Sequence, residues 1–380
     1  MPRLVISTVG TSILTNQIRQ RIDPKNWIES LEITANCTHE QINSDYSEVT
    51  SIVTELKNRA EKKLNDSNTL EIREASAELN GIYGLYNEQL NQGSNDMHWL
   101  ITTDTAQGLI AAAIVRDFLQ SKGLIVDIFS PKELSTESTE KFTNGIDELL
   151  KWMDEIIPGY RESDYRICFN LVGGFKALQG YVNTIAMFYQ AHEMIYIFEN
   201  SSEVIKIPRL PIRIDESVVK PVLFSLMASQ VGIWIKLSEL QDVPETLLFI
   251  DGEEATLSHW GRLIWNNCKR NLLPGELLLF PYLVYEKSFH NDYTKNNVNE
   301  QRKIDLQETL AEVSASIIKF NGDTTRFDRR LNFTRYEGGK SNHIDHFYVK
   351  NTGWRVSCIA KDNKLHLRHY GEHDYVNDNP

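Results

Sequence analysis

Two adjacent glycines and a lysine form the stretch with the clearest ligand chemistry. Gly173 and Gly174 end an apolar strand predicted over 165–171 and precede an amphipathic helix with Lys176 in its first turn. Glycine leaves backbone N–H groups open, and a helix start offers unpaired N–H groups at the positive end of its dipole. A lysine there opposes the dipole but suits a bound phosphate. The stretch predicts an anion site, although the same turn also occurs as a plain strand-to-helix connection.

Polar loops end two further predicted strands. The strand over 3–9 leads into Gly10, Thr11 and Ser12, and the strand over 98–103 leads into an N-cap-like Asp or Thr. Strands that alternate with helices predict a parallel, doubly wound sheet, which binds ligands at the carboxyl ends of its strands. The residues expected to gather at that edge are Gly10, Thr11, Ser12, Thr103, Asp104, Asn170, Gly173, Gly174, Phe175 and Lys176.

Two common nucleotide motifs are absent from these loops. No G-x-G-x-x-G follows the first strand, which argues against an NAD-dependent enzyme. No G-x-x-x-x-G-K-[ST] occurs either, which argues against an ATP-hydrolysing motor. The sheet is therefore predicted to be Rossmann-like and to bind a phosphate-bearing ligand of another kind.

Histidines cluster near the end of the chain. Of the ten in the chain, those within the last predicted strands are His343, His346, His366, His369 and His373. Histidine suits proton transfer near neutral pH. Cleaving RNA without metal needs a base for the 2′-OH, cations for the pentavalent phosphate and an acid for the leaving oxygen. The arginines and tyrosines interleaved with these histidines supply the remaining groups, and the candidate catalytic residues are Arg355, His373, His346, Tyr348, Arg368 and Tyr370.

A zinc site is the competing interpretation of the histidines. Spacings such as His366-x-x-His369 lack the paired Cys/His pattern of a structural site, and no H-E-x-x-H occurs. We therefore predict no metal and no cofactor, and some of the histidines are expected to decorate a polar sheet face only.

Length and charge set the outer limits. A chain of 380 residues can hold two or three domains, and the net charge of −12 argues against indiscriminate nucleic-acid binding. The acidic excess lies in residues 1–277, whereas residues 278–380 are nearly neutral. No run is long enough for a membrane span and no signal peptide precedes the first strand, so a cytoplasmic protein without membrane contact is expected.

The pattern of elements predicts three parts. Residues 1–215 form the α/β domain, with a helical insertion over 17–96 that packs beside the sheet or forms a solvated arm. Residues 216–277 are predicted as a helical connector, including a helix over 233–240. Residues 278–380 are predicted as an α+β domain, in which two helices precede an antiparallel meander with a turn at Asp362 and Asn363.

The first part resembles the CARF domains of CRISPR systems. The resemblance rests on Val9-Gly10-Thr11-Ser12 after the first strand and on Asn170-x-x-Gly173-Gly174-Phe175-Lys176 after a later one, and it covers about residues 1–210. It implies a Rossmann-like sensor of cyclic oligoadenylate, with both loops at the ligand.

The last part resembles the RelE/ParE toxin fold, whose ribonuclease members cut mRNA in the ribosomal decoding site. The resemblance covers about residues 278–380, through Tyr285-x-x-x-Phe289, Gly353-Trp354-Arg355-Val356 and the stretch from Leu367 to His373. It implies that Arg355 binds phosphate and that His373 is the acid or base. His346 and Tyr348 stand where some relatives have lysines, so the base stays open, and no terminal helix is expected after the last strand.

Together the two resemblances imply a CARF–RelE fusion, a CRISPR-associated mRNA interferase of type III systems. Its activator would be a cyclic oligoadenylate, with cyclic tetra-adenylate favoured, its other partners mRNA and the ribosome, and its assembly a homodimer that matches the symmetry of the ligand. Two alternatives stay open. One is a ligand-controlled DNA-binding regulator that uses residues 216–277, and the other is a ring nuclease that degrades its activator with Thr11, Ser12 and Lys176.

Overall fold

The computed structural model of the protein describes residues 1–198, 201, 203–295, 297–336, 343–350 and 352–380. The chain divides into two compact units, Met1–Ile212 and Arg213–Pro380. The second unit contains both the segment predicted as a connector and the predicted terminal domain.

Six strands form the sheet of the first unit: β1 (Arg3–Thr8), β2 (Met97–Ile101), β3 (Ile125–Phe129), β4 (Arg166–Asn170), β5 (Glu193–Ile197) and β6 (Val204–Pro208). Their order is β3-β2-β1-β4-β5-β6, with β1 to β5 parallel and β6 antiparallel to β5. Five consecutive residues of β1 are buried, as expected of a parallel strand covered on both faces. The predicted parallel α/β sheet is confirmed, and the unit is compatible with a Rossmann-like domain.

Helices cover this sheet: α1 (Ser12–Thr15), α2 (Asn26–Ile33), α3 (His39–Asp45), α4 (Ser47–Asp66), α5 (Thr69–Ala75), α6 (Ala77–Leu85), α7 (Ala106–Ser121), α8 (Thr139–Glu162) and α9 (Lys176–Phe188). The predicted helical insertion corresponds to α2 through α6. Leu56 of α4 and Ile82 of α6 share one core with Val5 and Leu100 of the sheet. The insertion therefore packs on the sheet because its apolar stripes are buried there, and the solvated arm is wrong.

The segment predicted as a helical connector contains a sheet as well as helices. Its elements are α10 (Pro221–Ala228), β7 (Ile235–Lys236), β8 (Leu248–Asp251), β9 (Glu254–Leu257) and α11 (His259–Leu272), with strand order β7-β9-β8. The helix predicted over 233–240 is wrong, because β7 pairs there with β9. Gly252-Glu253 turns β8 into β9, with Gly252 at a φ of +59°, and a two-residue turn that begins with glycine favours a hairpin over a helix.

The rest of the second unit follows the predicted order of elements: β10 (Leu283–Tyr285), α12 (Lys287–Tyr293), α13 (Glu300–Phe320), β11 (Thr334–Arg335), β12 (Ile344–Tyr348), β13 (Trp354–Lys361), β14 (Lys364–Glu372) and α14 (His373–Asp378). The sheet order is β10-β14-β13-β12-β11, with β10 parallel to β14 and the other pairs antiparallel. Asp362 and Asn363 have φ values of 52° and 55°, the left-handed pair of a tight hairpin turn. The expectation that no helix follows the last strand is wrong, since α14 begins directly after β14.

The sheet of β10 to β14 has one apolar and one polar face. Tyr370 and Trp354 lie on the apolar face, with ring centroids 4.9 Å apart, and the Tyr370 hydroxyl donates to the carbonyl oxygen of Arg302 on α13 at 3.2 Å. Helix α13 therefore covers that face. Within the described part of the chain, no helix combines the length and apolar content that crossing a membrane requires.

Candidate functional site

The first candidate site lies where the loops after β1 and β4 meet. We call residues 9–12 and 171–176 the switch-point loops, because β1 and β4 are the neighbours at which the strand order reverses. Thr8 Oγ1 donates to the carbonyl oxygen of Gly173 at 2.5 Å, and a Cβ on Gly10 would lie 3.3 Å from the nitrogen of Gly174. The structure therefore brings these three glycines together.

Glu78 of α6 fills the space between the switch-point loops. Its side chain is fully buried, and Oε1 accepts a hydrogen bond from the Gly10 N–H at 2.7 Å. Oε2 accepts hydrogen bonds from Ser12 Oγ at 3.3 Å and from Ser76 Oγ. Among the described residues, no cation forms an ion pair with this carboxyl. The N–H of Gly10 thus already donates to a carboxyl group of the protein itself.

Burial is the largest influence on Glu78 and raises the pKa of its carboxyl, while the hydrogen bonds from Gly10 and Ser76 lower it. Gly173 is required beside it, since a Cβ there would lie 2.1 Å from Glu78 Oε1. Gly174 has a φ of +89°, a backbone conformation that a side chain would strain. The two glycines therefore shape a pocket that fits one carboxyl group.

Asn170 ties this arrangement to the sheet. It is buried at the end of β4, and its Nδ2 donates to Ser7 Oγ and to the carbonyl oxygen of Glu78, both at 3.2 Å. Its Oδ1 accepts from the Val172 N–H at 3.3 Å. Asn170 thus fixes the relative position of β1, β4 and α6, and its polar groups are used within the protein.

The remaining predicted ligand residues of these loops lie outside the carboxyl pocket. Lys176 is exposed at the start of α9, and Phe175, the residue before it, packs its ring on Phe142 at 5.8 Å. Thr11 lines a separate cavity of about 300 Å³ together with Leu31 of α2 and Gln107 of α7. The structure therefore places Lys176 where a ligand approaching from solvent would meet it.

Thr103 and Asp104 make their contacts within the protein, Thr103 inside its own loop and Asp104 with the segment after β3. Thr103 Oγ1 lies 2.9 Å from Thr105 Oγ1, and Asp104 Oδ2 accepts from the Glu133 N–H at 3.0 Å. Both residues are half-buried. Their contacts have a structural explanation that needs no ligand.

The second candidate site is the polar face of the sheet formed by β10 to β14. The register pairs Tyr348 with Arg355 and Arg355 with Gly371, and it pairs His346 with Ser357 and Ser357 with His369. Because side chains two residues apart share a face, these residues all lie on one side of the sheet. We call this surface the histidine face: His346, Tyr348, Arg355, Ser357 and His369, together with helix α14.

Arg355 lies near the middle of the histidine face and is 9% exposed. Its Nη2 donates to the Tyr348 hydroxyl, and its guanidinium carbon lies 4.4 Å from the centroid of that ring. Its Nη1 donates to Asn377 Oδ1 at 3.0 Å. The buried Nε has no hydrogen-bond partner among the described residues, and no carboxylate pairs with the group there. Arg355 is therefore a buried cation that has no carboxylate partner among the described residues.

Asn377 of α14 connects Arg355 to His373. While its oxygen accepts from Arg355, its Nδ2 lies 3.3 Å from His373 Nε2. His373 is about half exposed, and its Nδ1 lies 2.7 Å from Asp374 Oδ1. The structure thus brings together Arg355 and His373 on the edge of one face.

His346 lies next to this pair. Burial, followed by the positive charges of Arg355 and His373, lowers the pKa of His346 to about 4, so the imidazole is neutral near pH 7. The ring of Tyr336 lies 4.4 Å from it, and the Tyr336 hydroxyl donates to Asn377 Oδ1 at 3.1 Å. Burial raises the pKa of Tyr336. Cation, neutral imidazole and phenol therefore share one small surface.

Part of the first unit matches a protein family. Residues 73–210 match the family described as CRISPR-associated protein (Cas_APE2256). This range begins within α5, contains Glu78 and the loop after β4, and ends after β6. The match supports a CRISPR-associated protein, and it does not extend to the histidine face.

Two predicted catalytic residues lie away from Arg355. Tyr370 is 1% exposed on the apolar face, and burial raises the pKa of its hydroxyl. Arg368 lies at a bulge in the β13–β14 pairing, with Nη1 donating to the carbonyl oxygen of Pro380 and Nε 3.8 Å from Glu286 Oε2. Arg368 is the extra residue of the bulge, whereas Tyr370 alternates with His369 and Gly371 and therefore points to the opposite face of the sheet.

Two contact residues, Glu78 and Asn377, are missing from the sequence-based site. Asn377 lies four residues after His373, a spacing that would indicate proximity only if a helix had been predicted there. Glu78 lies far from both glycine loops in sequence, and no local pattern signals its contact. Among the described residues, no group of three histidine, cysteine or acidic side chains is arranged to hold a metal ion.

Proposed function

We propose that the protein is a CRISPR-associated, metal-independent endoribonuclease that cyclic oligoadenylate activates and that cleaves mRNA on the ribosome. The observation that carries the proposal is the convergence of Arg355, Tyr348, His346 and His373 on one face, joined through Asn377. The CRISPR-associated family match and the resemblance of the sequence of residues 278–380 to RelE/ParE toxins support it.

The chemistry is an attack of the RNA 2′-oxygen on the adjacent phosphorus. The bond from phosphorus to the 5′-oxygen breaks, which leaves a 2′,3′-cyclic phosphate and a free 5′-hydroxyl. The 2′-OH loses its proton to a base, and an acid protonates the departing 5′-oxygen. Arg355 would bind the non-bridging phosphate oxygens, because its guanidinium is positively charged and hydrogen-bonds to an amide oxygen and a hydroxyl rather than to a carboxylate. Two histidines of the face would transfer the protons, one as the base and one as the acid, and His373 would be one of these two histidines.

The regulatory part of the proposal concerns the first unit. Its Rossmann-like sheet, its glycine turn and the exposed Lys176 suit a ligand with several phosphates, and cyclic tetra-adenylate is the favoured activator. A two-fold homodimer would present both halves of a symmetric site to that ring. Activation then requires that the ligand bind one arrangement of the dimer better than another.

The decisive experiment follows reporter mRNA in a reconstituted translation system with and without cyclic tetra-adenylate. Protein treated with a chelator and then desalted should cleave the mRNA only when activator and ribosomes are both present. The products should end in 2′,3′-cyclic phosphate and 5′-hydroxyl. A 5′-phosphate end, or activity restored only by added divalent metal, would show a metal nuclease instead. Light scattering that finds a monomer with and without activator would contradict the dimer.

A further inference from the structure

A buried carboxylate holds together a second polar cluster next to the histidine face. Asp292 of α12 is 2% exposed. Its Oδ1 accepts from the Tyr375 hydroxyl at 2.8 Å and pairs with Lys295 Nζ at 2.6 Å. Its Oδ2 accepts from the Tyr370 N–H at 3.1 Å and lies 3.0 Å from His369 Nδ1. The hydrogen bonds from these donors outweigh burial and hold the pKa of Asp292 below its usual value, so the group is a carboxylate.

His369 is the member of this cluster that reaches the histidine face. It pairs with Ser357 in the register, two residues along β14 from the Gly371 that pairs with Arg355. Such diagonal neighbours on one face are about 7–8 Å apart, within reach of long side chains that share one phosphate. Its side chain is 21% exposed, so the ring is open to solvent on one side.

The contact with Asp292 determines what His369 can do. A carboxylate accepts only, so Nδ1 must carry the proton that it shares with Asp292 Oδ2. Nε2 is then the basic nitrogen of the neutral ring, and it has no hydrogen-bond partner within the described part of the chain. The same carboxylate stabilises the imidazolium that forms when Nε2 takes up a proton.

The other two histidines of the face are less suited to accept a proton. The pKa of His346 is lowered to about 4, which makes it a weak base. His373 lies 2.7 Å from Asp374, but that carboxylate is 95% exposed and therefore holds the ring weakly. Only His369 combines an open nitrogen with a buried carboxylate partner.

We propose that His369 is a catalytic residue of this ribonuclease and that Asp292 is its positioning residue, an assignment that rests on the proposed function. His369 Nε2 takes the proton of the 2′-OH as the 2′-oxygen bonds to phosphorus. Protonated His373 gives its proton to the 5′-oxygen as the bond from phosphorus to that oxygen breaks. Asp292 remains a carboxylate throughout and holds the proton on Nδ1.

The first test compares two histidines of the same strand in the activated cleavage assay. His369→Ala should lower kcat by about 10²–10⁴ with little change in KM, and imidazole added to the buffer should restore part of the rate. His366→Ala is the matched control, because His366 lies on β14 at a similar exposure but in the segment beyond the bulge. Near-normal cleavage by His369→Ala would overturn the assignment.

The second test asks whether Asp292 acts through His369. Asp292→Asn keeps the shape and should lower kcat roughly tenfold to 100-fold. Asp323→Asn is the matched control and should change kcat little, because Asp323 is exposed and hydrogen-bonds to Thr325 of its own turn. Asp292→Asn added to His369→Ala should cause no further loss. Additive losses would show that Asp292 has a structural role only. If Asp292→Asn fails to fold, the cleavage rates of His369→Ala with and without imidazole test the assignment of His369.

The outcomes separate this inference from the function on which it rests. Wild-type protein that leaves RNA intact, or an Arg355→Ala variant with normal activity, overturns the proposed function and the role of His369 with it. Loss of cleavage in Arg355→Ala together with normal kcat in His369→Ala overturns only the role of His369.

Discussion

The switch-point loops and the histidine face both present hydrogen-bond donors, but they differ in what those donors already bind. Between the loops, the N–H of Gly10 already donates to the buried carboxyl of Glu78, and no described cation pairs with that carboxyl. On the histidine face, Arg355 is buried beside hydroxyl and amide partners, with Nε unpartnered and no carboxylate paired to it among the described residues.

This difference shows that open backbone amides and an available anion site are separate properties. Glycines supply the amides, but a neighbouring acid can use them, and burial then favours the neutral form of that acid. A buried arginine without a counter-ion stays charged, and a bound anion would stabilise it. Among the described residues, Arg355 on the histidine face therefore has no negatively charged partner. A ligand that binds at the switch-point loops has to bind around Glu78 or displace it.

The largest expected effect concerns Arg355. Arg355→Ala should lower the rate of activated mRNA cleavage by about 10²–10³, because the developing phosphate charge loses its buried cation. Activator binding should be unchanged. Arg335→Ala is the matched control, since Arg335 lies on β11 of the same sheet but is exposed and paired with Asp345 at 3.0 Å. Equal losses in both variants would place the active site elsewhere.

Glu78 provides the second way to test the comparison. Glu78→Ala removes the acceptor of the partly buried Gly10 N–H and should cost about 1–3 kcal/mol of unfolding free energy. Glu78→Gln keeps an oxygen acceptor and an N–H donor, so it should be tolerated better.

The pH dependence of stability distinguishes the wild type from Glu78→Gln. The folded-state pKa of Glu78 is raised, so its stabilising contribution is complete below about pH 4 and is lost as pH rises through the folded pKa. Thermal unfolding of the full chain should show this decline in the wild type and less of it in Glu78→Gln. Identical pH slopes would mean that Glu78 is not buried as a neutral acid.

A smaller effect of opposite sign is expected at His346. Its pKa falls from 6.5 to about 4 on folding, so its contribution to stability is present above pH 6.5 and is lost as pH falls toward 4. The loss should amount to about 1–2 kcal/mol, and His346→Gln should remove it. Chemical denaturation at pH 7 and pH 4.5 measures the difference, and a wild-type chain with no acid sensitivity beyond that of the variant would contradict it.

The smallest effect is expected at Lys176. An exposed lysine at a helix start contributes a screened interaction, so Lys176→Ala should weaken cyclic tetra-adenylate binding by about 1 kcal/mol, or roughly fivefold. Calorimetric titration at low and high salt should show that the difference shrinks with salt. Lys122→Ala, at the end of α7, is a control at which no change is expected. An unchanged affinity in Lys176→Ala would remove this lysine from the site.

The sequence predicts the elements of this protein better than it predicts its contacts. Alternating strands and helices indicate the parallel sheet, and Asp362-Asn363 indicates the last hairpin, because both depend on local backbone preferences. The strand at β7 is missed because two residues carry no periodicity. The contacts of Glu78, Asn377 and Asp292 depend on packing between distant segments, and no local pattern records them.

The edges of the terminal sheet have a consequence for solubility. β10 pairs with β14 over three residues and β11 with β12 over two, so both outer strands are very short. Beyond β10, Ser288 Oγ donates to the carbonyl oxygen of Arg368 at 2.5 Å, and Asp292 accepts the N–H of Tyr370. A long bare strand edge invites pairing with another chain and aggregation. By covering β14 with side chains where the strand partner ends, α12 leaves little backbone for a second molecule to extend the sheet.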